Sequence, residues 1–174
     1  MTISKTILGY TLALRRTVSE VVQTIPEKHW ETIPSGWSNN ARWHVGHLII
    51  TPQRLTYGQL KQPVAVSQEY QKWFARGSSP AAWADDVLPE MVHLLDEMIT
   101  STEALFESMT SRWDDPYSQP MVTSSGAILH TPGEALTFNT AHDGIHLGCL
   151  YGLRHALSAE APQSNQDRRK SAMR

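Results

Sequence analysis

The chain has 174 residues, with 15 Lys and Arg against 17 Asp and Glu, a formal net charge of −2 with neutral histidines, and one cysteine, Cys149. This length suits one domain with a buried core, and the near balance of charge leaves no electrostatic case for a nucleic-acid surface. A lone cysteine excludes an intrachain disulfide and fits a reducing cytoplasm, while the longest apolar run, Leu48-Ile49-Ile50, is far short of the roughly 20 residues that cross a bilayer.

The first 16 residues lack the basic start, long apolar run and small-residue cleavage site of a signal peptide. Over residues 2–24, Ile7, Leu8, Leu14, Val18, Val21 and Val22 recur at helical steps and predict a first amphipathic helix, ended by Pro26. Pro34-Ser35-Gly36 supplies turn chemistry. Ser38 is the expected cap of a second helix, which runs through Ala41 to about Gly58 and is kinked near its end by Pro52. Residues 57–80 read as a long crossover broken by Gly58, Pro63, Gly77 and Pro80, with a short helix over 69–75 turning Tyr70, Trp73 and Phe74 inward. A brief helical turn is expected over 81–86.

Pro89 suits the first position of a third helix, whose face Met91, Leu94, Leu95, Met98, Leu105 and Phe106 carry to Met109. Residues 113–130 read as a loop containing a small hairpin, 121–123 against 127–129. Thr131-Pro132-Gly133-Glu134 combines a cap, a first-turn proline and a reaching-back glutamate, and starts a fourth helix that ends near Leu157. The expected organisation is an all-α domain over residues 1–157 and a polar, disordered tail over 158–174.

The chemistry concentrates in the fourth helix. His142 and His146, four apart, lie one turn above each other and can grip one ion together. Phe138, Cys149 and Leu153 share their stripe, so both imidazoles should point into the helical packing, where an unpaired polar ring costs free energy. Two histidines leave a metal site incomplete, and His47 on the second helix is the best third donor; His44, three residues earlier, need not face the core. The expectation is a three-histidine site, His47, His142 and His146, for zinc, nickel or a related divalent ion; the alternative is a core polar network. His29, His93, His130 and His155 read as loop or surface residues, although His130 could line a mouth. His142-Asp143-Gly144-Ile145-His146 also has the spacing of the two-histidine zinc signature of metalloproteases, but Asp143 is one methylene shorter than the glutamate base of that motif and no third ligand follows closely downstream. Asp143 could instead orient an imidazole. Cys149 reads as a fourth ligand, a reactive thiol or, preferred, a small buried residue.

The stretch Trp37-Ser38-Asn39-Asn40-Ala41-Arg42-Trp43-His44-Val45-Gly46-His47-Leu48, then Phe74-Ala75-Arg76-Gly77-Ser78-Ser79-Pro80, then Gly133-Glu134-Ala135-Leu136 with Phe138 to Gly148, resembles the DinB superfamily. The resemblance spans about residues 2–157. It implies a four-helix bundle in up-down-down-up order with a long link between helices 2 and 3, often a homodimer, and a divalent metal held by His47, His142 and His146. Where that family often has glutamate after the first histidine of the pair, this chain has Asp143. Characterised members include thiol S-transferases and thiol-dependent isomerases that use bacillithiol, mycothiol or a similar low-molecular-weight thiol. Three functions stay open: thiol transfer to a small electrophilic substrate, which is preferred; metal-assisted hydrolysis; and a non-catalytic metal-binding or stress-related bundle. The pattern assigns no catalytic residue, and neither nucleic acid nor membrane is expected as a partner.

Overall fold

The computed structural model describes residues 3–84 and 86–160. The tail expected from residue 158 therefore lies, from 161 onward, outside the described residues. The elements are α1 (Ile3–Gln23), α2 (Ala41–Gln53), a short α3 (Gln68–Phe74), α4 (Met91–Met109), the hairpin β1 (Met121–Val122) and β2 (Ile128–Leu129), and α5 (Pro132–Glu160). The described residues are mostly helical, and their only sheet is this antiparallel pair, with Met121 opposite Leu129 and Val122 opposite Ile128. No described helix is long and apolar enough to cross a membrane.

α1, α4 and α5 each bury one face. On α5 the buried positions Leu136, Asn139, Asp143, His146, Leu150, Leu153 and Leu157 alternate steps of three and four, which keeps them on one face. On α1, Thr11, Arg15, Val18 and Val22 do the same. α1 packs on α4 and α5, and α2 packs on α4, α5 and α3. At one end the core is apolar: Val18, Val22, Ile25, Leu94, Met98, Leu150 and Leu153 form one cluster, each side chain contributing roughly 1.5–3 kcal/mol by leaving water. A second apolar cluster, Leu105, Phe106, Met109 and Leu136, forms where Trp113 packs on α4 and α5.

α2 is buried on nearly every side, from Trp43 through Ile50. The cause is the crossover: α3 lays Trp73 and Phe74 over its outer face, and the Phe74 ring sits directly against Gly46, where any Cβ would collide with it. Two helix starts differ from expectation. Asn40, not Ser38, caps α2 by accepting from the Trp43 N–H at 2.9 Å. α4 begins at Met91, two residues after Pro89, whose carbonyl is instead taken by Arg42. At the start of α5, Thr131 Oγ1 accepts from the Glu134 N–H at 3.2 Å, and the Glu134 carboxylate accepts from the His130 N–H, one residue ahead of the expected reciprocal partner.

Pro52 lies inside α2, which passes without interruption into a π turn over Arg54–Gly58. A proline has no N–H to give to the carbonyl four residues earlier. That carbonyl, of Leu48, accepts instead from Arg15 Nη2 of α1 at 2.7 Å. A break in one helix's ladder thus becomes a tie between two helices.

Candidate metal centre

His47, His142 and His146 come together, with one ring nitrogen of each lying within 4.8 Å of the others. His142 and His146, on successive turns of α5, bring their Nε2 atoms to 3.1 Å. His47 enters from α2, its ring centroid 4.9 Å from that of His146 and 5.3 Å from that of His142. Trp43, one turn earlier on α2, stacks under His47 at 4.5 Å between centroids and 13° between planes, and is itself pinned by donating Nε1–H to Ser78 Oγ at 2.9 Å.

The tautomer of His47 follows from its partner. Nδ1 lies 2.7 Å from the Phe74 carbonyl, and a carbonyl only accepts, so Nδ1 carries the proton. Nε2 is left with its lone pair, which faces the Thr51 hydroxyl at 3.1 Å and the other two imidazoles. Nitrogens bound to one zinc at about 2.0–2.1 Å would sit roughly 3.4 Å apart. The cluster therefore needs little closure to serve as a three-nitrogen cup, and it can hold a metal ion.

His44, which helical spacing does not require to face the core, is buried beside the cluster. It is as buried as His47, and its Nδ1 lies 2.8 Å from His146 Nδ1. With His146 Nε2 bare for an ion, its Nδ1–H donates to His44 Nδ1, which fixes the His146 ring. Helical spacing gave no sign of this, because α2 has no solvent face once α3 covers it. Burial holds the pKa of His44 and His47 down to about 4, each with a smaller contribution from neighbouring imidazoles, and lowers that of His146 as well. All three are neutral at pH 7, the state in which imidazole binds metal.

Asp143 does not stand where a metalloprotease base would. It is wholly buried and paired with Arg15, Nε to Oδ2 at 2.8 Å, and Oδ1 accepts from Asn139 Nδ2 at 3.0 Å. Arg15 also reaches the Met98 carbonyl at 3.0 Å and the Thr102 hydroxyl. Asp143 Oδ1 is 4.0 Å from His142 Nδ1, too far for a hydrogen bond, and that nitrogen is buried without a partner among the described residues. Arg15 was legible only as a charge set into an otherwise core-facing stripe of α1. Cys149 is half-buried and outside the metal-capable group, and burial raises its thiol pKa, which disfavours a reactive thiolate. His130 is exposed and lies away from the cluster's cavity.

A cavity of about 290 Å³ opens over His47 and His142. Its walls come from α2 and the π turn (Ile50, Thr51, Arg54, Leu55), from the end of the crossover (Ala75, Arg76), from residues 121–124 and from Phe138. A larger depression of about 500 Å³ near the start of α2 is lined by Glu27, Glu31, Asp86 and Glu90 with Arg42 and holds no histidine. The chemistry lies with the smaller one. No curated protein sequence matches the chain. The family model of the DinB superfamily matches residues 10–150.

Proposed function

The chain belongs to the DinB superfamily, and on that premise we propose that His47, His142 and His146 hold one divalent ion, zinc or nickel, at the floor of a pocket for thiol transfer to a small electrophile. The observation that carries this reading is the convergence of three imidazoles, one with its tautomer set by the Phe74 carbonyl, beneath a cavity. When bound, such an ion lowers the pKa of a thiol or water beside it and so supplies a nucleophile near neutral pH.

The chain's own residues do the rest. Phe74 and Trp43 orient His47, His44 orients His146, and the apolar wall of Ile50, Leu55 and Phe138 limits water. In the transfer the thiol proton passes to solvent, the sulfur forms the new carbon–sulfur bond, and the leaving group departs with the electron pair of the bond that breaks. Hydrolysis has weaker support, because it calls for a general base and no Asp or Glu lines the cavity. A purely structural ion has weaker support too, since structural sites are closed and this cluster opens onto a cavity.

The long helices α1, α2, α4 and α5, with the crossover between α2 and α4, support an up-down-down-up four-helix bundle for residues 1–157. A cytoplasmic homodimer completes the proposal, supported by the resemblance and by the single free thiol.

The test is metal content of tag-free protein purified without added metal, beside His142→Ala/His146→Ala. About one ion per wild-type chain and none in the folded variant is expected. Wild-type protein that takes up none of zinc, nickel or manganese would overturn the reading. With metal established, loss of a free thiol alongside formation of a thioether from an alkyl halide measures transfer.

A further inference from the structure

The cavity over the histidines has an uneven charge. Arg54, the first residue of the π turn, and Arg76, just after α3, both line it, and no acidic residue does. Arg15, Arg42 and Arg112 each meet a carboxylate, of Asp143, Glu31 and Asp115. Among the described residues Arg54 and Arg76 meet none, and both are exposed. Three imidazole ligands bring no negative charge to offset a divalent ion, and the carboxylate close by, Asp143, is already paired with Arg15. The opening thus carries two guanidinium groups and no acidic side chain to oppose them.

A guanidinium presents a planar fork that matches a carboxylate through two parallel hydrogen bonds, and it does so best at a partly desolvated rim. The wall also carries the apolar side chains of Ile50, Leu55, Met121 and Phe138, interspersed with the uncharged polar Thr51, Gln59, Thr123 and Ser124. The occupant such a cavity fits has a short apolar body and an anionic end.

We propose that Arg54 and Arg76 form an anion-holding rim, so that the small molecule admitted to the cavity carries a carboxylate or comparable anionic group distal to its reacting atom. The proposal rests on the reading of this cavity as the substrate site. It assigns to Arg54 and Arg76 recognition of substrate, not bond making.

The test uses two probes of one shape, 3-phenylpropionate and 3-phenylpropanol, titrated calorimetrically into metal-loaded wild type, R54Q/R76Q and R54K/R76K. Wild type should bind the acid about tenfold or more tightly than the alcohol. R54Q/R76Q should lose that preference while keeping its metal content and far-UV spectrum, and R54K/R76K should keep part of it. Equal affinity for the two probes in wild type, or binding of neither, would overturn the proposal. So would an undiminished preference in R54Q/R76Q, which would assign the carboxylate to the metal. Neither probe is a thiol, so failure of thiol transfer is read separately. A chain that takes up no ion yet prefers the acid through its arginines loses the metal reading and keeps the rim.

Discussion

Two polar regions lie side by side in the interior, and they are built in opposite ways. Around Arg15 and Asp143 the charges are closed on each other: α1 and α5 supply the pair, α2 gives the Leu48 carbonyl, and α4 gives the Met98 carbonyl and the Thr102 hydroxyl. Around the histidines the groups are left open, with Nε2 atoms facing one another, His142 Nδ1 without a partner among the described residues, and a cavity above. A buried polar group that is fully paired ties helices together, and one whose lone pairs converge on a common point is poised for a ligand. The contrast shows that burial of a polar residue says little until its partners are known.

Acid should separate the two regions most sharply. His44 and His47 have pKa values held near 4 in the native chain and near 6.5 when unfolded. Between pH 6.5 and 4 the unfolded chain therefore binds protons that the native chain does not, and stability falls as pH drops through that window. A single imidazole shifted this far contributes on the order of 3 kcal/mol. Urea unfolding of metal-free protein from pH 7.5 down to 4.5 should show a steep loss. A flat profile would remove these rings from the buried, neutral state described.

Next in size is Asp143→Ala, which strands a fully buried guanidinium. A loss of about 3–5 kcal/mol is expected from the shift in urea midpoint. A loss under about 1 kcal/mol would mean that Arg15 is not held as drawn. Gly46→Ala should cost about 1–3 kcal/mol by driving Phe74 off α2. Because the Phe74 carbonyl orients His47, zinc affinity should weaken in the same variant, as competition with a chromogenic chelator would report. The smallest effect on stability belongs to His142→Ala. Its ring is partly exposed and one nitrogen is unpartnered among the described residues, so chelated protein should change by less than about 1 kcal/mol while stoichiometric zinc binding disappears. A large destabilisation without metal would make His142 part of the structural network instead.

Much of the helical layout was readable from the chain alone. The stripe of α4 follows from three- and four-residue spacing, and the Thr131-Pro132-Gly133-Glu134 start of α5 and the small hairpin form where local signals place them. On α5 the expected stripe is turned: Asn139, Asp143 and Leu150 are buried with His146 and Leu153, while Phe138, His142 and Cys149 are half-buried, because Arg15 of α1 draws Asp143 into the interior. Within the site, the approach of His142 to His146 follows from one turn of helix, since i and i+4 must meet. The stacking of Trp43 on His47 has the same cause. His44, by contrast, was not readable, because its burial depends on α3 folding back over α2 from the crossover.

What the sequence by itself determined are the contacts made within one helix and the face that α4 buries, because helical geometry acts over three or four residues and needs no distant partner. What only the tertiary structure decided are the pairings across long separations: Arg15 with Asp143 and with the carbonyl that Pro52 leaves free, His44 with His146, and Arg54 with Arg76 at one rim. Each of those depends on how elements far apart in the chain pack. A side chain's partner, and with it the difference between a structural charge and a ligand-ready lone pair, is settled only when the surfaces that exclude water have closed around it.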